Sequence, residues 1–226
     1  AVINALESCK VITLGTVGVD SVDVKAATAR GILVTNVPDT FIEEVADHAM
    51  ALLLGGFRRL VEQDKMVREG RWKEGRPQLL KIPRLMGQTL GFISFGRVAR
   101  AVAKRAAPFG LKMMAFDPFI QETLMYDHGV MPATLSEVLS QSDFISMHAP
   151  ARPEVHHMLG EKHFKQMKKG ATFINTGRGA TVDEVALTLD RDRLYVSISV
   201  TNGGHDDSNL TYAATFALPQ AAVPSR

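Results

Sequence analysis

The 226-residue sequence has little of what would identify several common classes of protein. Cys9 is the only cysteine, which excludes an intrachain disulfide framework and a zinc site built from cysteines. The formal net charge is only +2, and no stripe of Lys and Arg alternates with aromatic residues, so we expect no nucleic-acid partner. The spacing of His, Asp and Glu supports no metal site either.

Long apolar runs are also missing. The most apolar stretch, AMALLLGGF at 49–57, is far too short to cross a bilayer. The chain begins at Ala1 with neither a charged n-region nor a long apolar h-region, so we expect no signal peptide, no membrane partner and a cytoplasmic protein. Hydrophobic residues make up 46% of the chain, which is enough for a substantial core.

What the sequence does contain is an alternation of short apolar runs with longer helical patterns. Near the start, KVITLG (10–15) and GILVTNV (31–37) predict two strands that flank a helix at SVDVKAATAR (21–30). This strand–helix–strand order is typical of a parallel crossover.

A long helix is predicted after Thr40. Thr40 and Glu43 have the spacing of a capping box, AMALLL is apolar on every side and should be buried, and Gly55-Gly56 is expected to interrupt or loosen the middle. The stretch 70–84 carries glycine, proline and charge, so it is predicted to be a loop.

From residue 89 the alternation is cleaner. Strands are predicted at TLGFIS (89–94), LKMMAFD (111–117), DFISMHAP (143–150) and ATFINTG (171–177), with helices at 97–109, 134–141 and 161–169. The runs FISF and MMAF lack polar alternation, as expected for strands that are covered on both faces. The sequence therefore predicts an α/β fold of the Rossmann type, a doubly wound parallel sheet with helices on both faces.

The bend after the first of these strands resembles a dinucleotide fingerprint, G-x-G-x-x-G. The three positions are occupied by Ser94, Gly96 and Ala99. Gly96 would let the backbone approach a pyrophosphate, and Ala99 satisfies the need for close helix packing. Ser94 departs from the pattern, and would cost roughly 1–2 kcal/mol if its backbone were left-handed. Taken alone, the match leaves an ordinary strand-to-helix corner open.

Asp117 strengthens the case for a nucleotide. It ends the next strand, 21 residues after Gly96, where an acidic side chain is expected to accept hydrogen bonds from the adenosine ribose. Its charge would repel the extra phosphate of NADP, so NAD is the expected cofactor. A solvated loop aspartate before Pro118 remains an alternative, and a methyl-donor nucleotide site could use a similar residue.

Five segments carry a more specific signal. They are TVGVDSVDVKAATARGILVTNVPD, VADHAMALLLGGFRR, GRVARAVAKRAAPFGLKMMAFDP, SDFISMHAP and INTGRGATVDEVAL. Together they resemble the D-isomer-specific 2-hydroxyacid dehydrogenases, which include phosphoglycerate, glycerate and hydroxypyruvate enzymes. The resemblance implies an NAD-binding Rossmann domain at 39–215, a truncated, flavodoxin-like substrate domain at 1–38, and a divergent tail at 216–226 that returns toward the substrate domain.

The resemblance also implies roles for particular residues. The backbone N–H groups of Val17 and Gly18 are expected to hold the substrate carboxylate, although Thr16 replaces the family's more usual glycine. Arg178 resembles the catalytic arginine, whose planar guanidinium can bind the carboxylate of a 2-keto acid and polarise its carbonyl. The residues expected to bind NAD are Ser94, Gly96, Arg97, Val98, Asp117, His148, Ala149, Pro150, Thr176 and Gly177.

The sequence departs from the family after Leu187. The family uses an acid/base histidine with a hydrogen-bonded glutamate, and losing the histidine should lower the rate roughly 10²–10⁴-fold. In a loose alignment Gly204 stands at the glutamate and Ser225 at the histidine, while Ser199 replaces an aspartate beside the nicotinamide. His205 is either a displaced acid or a solvated loop residue.

Two functions therefore remain open. The first is an NAD-dependent oxidoreductase that transfers hydride between NAD(H) and a small 2-keto or 2-hydroxy acid, with activity impaired by the missing groups. The second is a catalytically silent NAD(H)-binding or oligomerisation module. The short front and altered tail are expected from a fragment of a longer protein or from a product that has lost parts at both ends, and the altered tail would also follow from a change of reading frame. Homodimerisation is expected through the helix after Thr40 and the arm around Trp72.

Overall fold

The computed structural model describes residues 2–150 and 152–183, together with the backbone of two further strands at 194–200 and 212–217. The chain divides into two compact units, Ala1–Ile42 and Glu43–Arg226. The narrower boundaries at 38/39 and 215/216 stay predictions, and residues 218–226 of the expected tail lie outside the described residues.

The first unit contains the strand–helix–strand pattern expected from the sequence. Its elements are strand β1 (Val11–Thr13), helix α1 (Val24–Ala29) and strand β2 (Leu33–Thr35), preceded by a 3-10 helix at Val2–Ala5. The two strands pair in parallel, with Val11 opposite Leu33. Asp23 begins the helix by accepting a hydrogen bond from the Ala26 amide at 2.9 Å, which satisfies one of the free N–H groups of the first turn.

The second unit begins with three helices. They are α2 (Ile42–Phe57), α3 (Leu60–Arg68) and α4 (Trp72–Leu79). The apolar middle of α2 is buried as predicted, and the long helical stretch is interrupted just after Gly55 and Gly56, because α2 ends at Phe57 and α3 begins at Leu60. The capping box is wrong, because α2 begins at Ile42 and the Glu43 carboxylate accepts a hydrogen bond from Arg105 on a later helix at 2.6 Å.

The loop predicted at 70–84 is wrong as well, because α4 occupies much of it despite Pro77 in its interior. Gly75 explains how this helix fits. A Cβ atom at Gly75 would overlap the Met66 sulfur of α3, so the missing side chain lets the two helices approach closely. That contact is not local in sequence, and it overrides the weak helix propensity of glycine and proline.

A seven-stranded sheet forms the centre of the second unit. Its strands are β3 (Thr89–Ile93), β4 (Lys112–Phe116), β5 (Met131–Pro132), β6 (Phe144–Met147), β7 (Thr172–Asn175), β8 (Leu194–Val200) and β9 (Tyr212–Ala217). The order is β5-β4-β3-β6-β7-β8-β9, and all neighbours are parallel except the last pair. The connecting helices include α5 (Arg97–Ala106), α6 (Glu122–Asp127), α7 (Leu135–Gln141) and α8 (Glu161–Phe164).

This strand order confirms the predicted fold. The chain proceeds outward from β3 to β5 and then returns to the other side of β3, which is the order of a Rossmann sheet. In such sheets a ligand binds beyond the carboxyl ends of the strands, where the order reverses. Here that point lies between β3 and β6.

Side chains alternate along β3 and place an apolar core on each side of the sheet. Leu90 and Phe92 belong to the cluster that includes α2 and α5, whereas Ile93 belongs to the cluster that includes α7 and α8. Gly91 points to the same side as Ile93. A Cβ atom there would overlap the Ser142 hydroxyl, so this glycine is required by packing.

Candidate nucleotide-binding site

The carboxyl ends of four parallel strands are in register. Ile93 pairs with Phe116 and with Met147, and Met147 pairs with Asn175. The next residue after each strand therefore begins a loop at the same edge of the sheet. These four residues are Ser94, Asp117, His148 and Thr176, each of which was predicted to bind NAD. The structure thus brings the predicted cofactor residues together along one edge.

Neither the backbone conformation nor the packing of the protein requires a glycine at position 96. Its backbone is extended, with φ −72° and ψ −165°, and any residue can adopt these angles. A Cβ atom at Gly96 would meet nothing within 4 Å. Neither strain nor packing excludes a side chain here, and the open space leaves room for a ligand to approach the backbone.

The helix that follows suits an anion. Gly96 is the N-cap of α5 and makes no side-chain hydrogen bond to the first turn of the helix, where the amides of Arg97 and Val98 lie. A helix N-terminus carries free N–H donors and about half a positive charge, and both attract phosphate. Ala99 is fully buried, as expected for the close-packing position of the fingerprint.

Ser94 has the left-handed backbone considered from the sequence, with φ 70°. The conformation costs a serine roughly 1–2 kcal/mol. Its amide continues the sheet by donating to the Phe116 carbonyl at 2.8 Å, while its hydroxyl lies 3.3 Å from Oδ2 of Asp117. The glycine turn and the acidic residue are therefore in direct contact.

The Asp117 carboxylate is held by main-chain donors of two loops. Oδ2 accepts a hydrogen bond from the Phe95 amide at 2.8 Å, and Oδ1 accepts one from the Phe119 amide at 2.9 Å. An ionised carboxylate has about four acceptor positions, so positions remain for ribose hydroxyls. Asp117 is a structured part of the turn, which argues against a solvated loop aspartate.

A cavity of about 470 Å³ lies beside Asp117. Its walls combine apolar groups, such as Pro118 and Ile120, with the carboxylates of Glu122 and Glu137. Hydrogen bonds from Thr134 hold the pKa of Glu137 below its usual value, which favours the ionised form. The cavity therefore disfavours an additional phosphate, in agreement with the predicted preference for NAD.

The strand end at His148 carries a chain of polar side chains that is buried at Ser146 and half-buried at His148 and Thr176. The His148 ring contacts the Ser146 hydroxyl at 2.8 Å and the Thr176 hydroxyl at 3.4 Å, so it links the ends of β6 and β7. Burial lowers the pKa of His148 to about 4. Ala149 is buried and Pro150 is exposed. His148 is thus a neutral structural link at this edge.

This histidine gives a pH prediction. Its pKa is about 4 in the folded state against 6.5 ordinarily, so the unfolded state binds the proton more tightly and stability falls with decreasing pH through this window. We expect the free energy of unfolding to fall by about 2 kcal/mol from pH 7 to pH 5 because of His148. Urea unfolding at the two pH values measures the difference, and His148→Asn should reduce it; an unchanged difference in the variant would contradict the assignment.

The side chain of Asn175 stabilises the turn that carries Arg178, and this role was not predicted from the sequence. The Asn175 side chain is buried, accepts from the Gly177 amide at 3.0 Å and donates to the Arg178 carbonyl at 3.2 Å. Thr181 donates to the same carbonyl at 2.7 Å. A Cβ atom at Gly177 would lie 3.0 Å from the Ala149 carbonyl oxygen, so the turn has little room for a side chain at this position. An asparagine just before a Gly-containing turn is a signal that could have identified this arrangement.

Arg178 itself is exposed at this edge of the sheet. Val17 and Gly18 belong to the other unit. There the Val17 carbonyl accepts from Asn36 at 2.7 Å, and the Gly18 carbonyl accepts from Thr16 at 2.8 Å, so the loop is locally ordered. The roles of these residues, and those of the individual NAD-binding residues, stay predictions.

Several expectations concern groups beyond the site. In the described part of the chain, no cluster of three or more His, Cys, Asp or Glu side chains could hold a metal ion. Among the same residues, none of the helices has the length and apolar character needed to span a membrane. Gly204, His205 and Ser225 lie outside the described residues, and only the backbone is described for Ser199.

The sheet order, the open glycine turn and the adjacent aspartate define a Rossmann-type dinucleotide-binding domain. Residues 50–194 match the model of the D-isomer specific 2-hydroxyacid dehydrogenase, NAD binding domain. The chain therefore belongs to the D-isomer specific 2-hydroxyacid dehydrogenase family, and NAD is the cofactor of this domain. The predicted family and cofactor are confirmed.

Individual relatives agree with this assignment. The chain is 41% identical over 187 residues to the glyoxylate reductase of Korarchaeum cryptofilum, covering 82% of this chain and 56% of that protein. It is 37% identical over 187 residues to the D-3-phosphoglycerate dehydrogenase of Methanocaldococcus jannaschii, covering 82% and 35% respectively. The D-lactate dehydrogenase of Aquifex aeolicus, solved with NAD and lactic acid, has a TM-score of 0.81 at 31% identity, covering 88% of this chain and 60% of that one. The chain thus spans about half the length of the glyoxylate reductase, about a third of the D-3-phosphoglycerate dehydrogenase and 60% of the D-lactate dehydrogenase chain.

Proposed function

We propose that this protein is an NAD-dependent oxidoreductase that transfers hydride between NAD(H) and a small 2-keto or 2-hydroxy acid, such as glyoxylate or hydroxypyruvate. The observation that carries the proposal is the edge where four strand ends meet. It combines an open glycine turn, an ordered aspartate and an exposed arginine. The names of the glyoxylate reductase and D-lactate dehydrogenase relatives support the same substrate class.

Each group has a distinct role in this proposal. The first amides of α5 bind the diphosphate, and Asp117 accepts hydrogen bonds from the ribose hydroxyls. NADH, when bound, supplies the hydride. Arg178 binds the substrate carboxylate with two parallel N–H donors and polarises the adjacent carbonyl, which stabilises the charge that develops on its oxygen.

The proton donor distinguishes this function from the second candidate. Reduction of a ketone needs a proton on the forming alkoxide, and the aligned positions carry Gly204 and Ser225 in place of glutamate and histidine. A chain without a donor would bind NAD(H) but turn over slowly or not at all. Gly204 and Ser225 therefore favour the silent NAD(H)-binding or oligomerisation module. If the protein is an active oxidoreductase, His205 is the candidate proton donor.

Two assays test the proposal. Titration with NADH, followed by its fluorescence, should show saturable binding that is tighter than that of NADPH; the absence of binding would remove both candidate functions. Oxidation of NADH with glyoxylate or hydroxypyruvate measures catalysis. Turnover that is lost in His205→Ala supports a displaced proton donor, whereas turnover that survives places the donor elsewhere.

A homodimer in the cytoplasm is the proposed form of the protein. The arm formed by α3 and α4 carries exposed apolar side chains, and Trp72 remains 43% exposed in the single chain. The others are Leu60, Val61 and Val67. Apolar groups clustered on a short helical arm support contact with a second copy. The dinucleotide cofactor, which is recycled inside cells, supports the cytoplasmic location.

A further inference from the structure

Ser94 is an unusual residue for its backbone. Its φ of 70° lies in the left-handed region, where glycine is favoured because it has no Cβ atom to clash with the backbone. The side chain is half-buried and small, so little apolar burial offsets the strain. The hydroxyl group is therefore the part of the side chain that could offset this strain.

The hydroxyl has one described side-chain partner, and that partner is Asp117. Ser94 Oγ lies 3.3 Å from Oδ2, the same oxygen that accepts the Phe95 amide at 2.8 Å. The Phe119 amide holds the other oxygen at 2.9 Å. Among the described residues, the carboxylate thus has three donors, and Ser94 Oγ is the one that belongs to a side chain.

We propose that Ser94 is a positioning residue for Asp117: its hydroxyl helps to fix the carboxylate in the orientation that accepts the ribose hydroxyls of NADH. The proposal rests on the proposed role of Asp117 in cofactor binding. A fixed acceptor loses less conformational freedom when the ligand binds, so it binds more tightly than a mobile one. A fixed carboxylate also cannot turn away from a 2′-phosphate, so it excludes NADPH more strongly.

The contact is longer than a typical hydroxyl–carboxylate hydrogen bond of about 2.7 Å, so its expected effect is moderate. We expect Ser94→Ala to weaken NADH binding roughly three- to tenfold and to reduce the preference for NADH over NADPH by a similar factor. Fluorescence titration with each dinucleotide measures both quantities on the full chain.

Ser94→Gly is the matched variant, because it removes the hydroxyl and relieves the backbone strain at once. It should weaken NADH binding as Ser94→Ala does, yet raise the thermal unfolding midpoint by roughly 2–4 °C, whereas Ser94→Ala should not raise it. If Ser94 had only a structural role, Ser94→Gly would leave NADH binding unchanged and would not raise the unfolding midpoint. If Ser94→Gly binds NADH as tightly as the parent protein and discriminates against NADPH equally well, the proposal is overturned.

A measurement without cofactor separates this proposal from the proposed function. In urea unfolding, Ser94→Ala and Asp117→Ala should together destabilise the protein less than the sum of the two single variants, because both remove the same contact. Additive effects overturn the positioning role even if NADH binds. Failure of the parent protein to bind NADH would instead overturn the proposed function and the expected effect of Ser94 variants on NADH affinity. The coupling between the two substitutions in urea unfolding would still report whether Ser94 and Asp117 are in contact.

Discussion

Gly96→Val is expected to weaken NADH binding by about 100-fold or more while lowering the stability of the protein only slightly. The φ and ψ of Gly96 are available to valine, and the Cβ position is open, so folding should lose about 1 kcal/mol, mainly through the less favourable N-cap. In the proposed complex, the diphosphate of NADH occupies the same space beside the amides of α5. Losing two charge-assisted hydrogen bonds there is worth about 3 kcal/mol or more, which is at least a hundredfold in affinity.

Gly91 provides the matched control, because it lies five residues earlier in the strand that leads into the same turn. A Cβ atom at Gly91 would overlap the Ser142 hydroxyl and lie 2.8 Å from a methyl group of Val138. Gly91→Ala should therefore lower the free energy of unfolding by about 1–3 kcal/mol through overpacking, with NADH affinity of the folded protein retained. Urea unfolding and fluorescence titration separate the two effects. Normal NADH binding by Gly96→Val would show that the diphosphate lies elsewhere.

Arg178→Lys is expected to lower kcat/KM for a 2-keto acid by about 10²–10³-fold and to leave the Kd of NADH nearly unchanged. Lysine keeps the charge but has no planar pair of donors, so it cannot bind the carboxylate and hold the carbonyl in the same geometry. The loss corresponds to about 3–4 kcal/mol of transition-state stabilisation. Steady-state kinetics at saturating NADH measures it.

Arg68→Lys is a suitable control for this change. Arg68 forms an exposed ion pair with Asp64 on the same helix at 2.8 Å, and such pairs contribute little to stability. Binding of oxamate, a 2-keto acid analogue, to the NADH complex gives the same comparison without turnover, and Arg178→Lys should weaken it at least about tenfold. Equal kinetics and equal oxamate affinity in Arg178→Lys and the parent protein would remove Arg178 from the substrate site.

The strands of the sheet could be predicted because their signal is local. The apolar runs that contain Phe92, Met114, Ile145 and Phe173 all became parallel strands, since sheets covered on both faces select continuous apolar sequences. The positions of Ser94 and Asp117 could be predicted as well, because each directly follows one of these strands. Once the strand ends are known, the residues that follow them must share an edge.

The features that were missed depend on contacts between separate elements. The helix α4 forms although Pro77 lies within it, because Gly75 allows close packing against Met66. The link from His148 to Thr176 joins the ends of two separate strands, so neither segment alone predicts it. Periodicity describes one segment at a time, so it does not report such pairs.

The short edge strand β5 has a consequence for behaviour in concentrated solution. It contains only Met131 and Pro132, and the amide of Ala133 donates inward to the Ala115 carbonyl at 2.9 Å. Because successive residues of a strand direct their backbone groups to opposite sides, Pro132 faces outward at the position where an incoming strand would need an N–H donor. This border of the sheet therefore resists the addition of strands from other chains, which protects the protein against aggregation by edge-to-edge pairing.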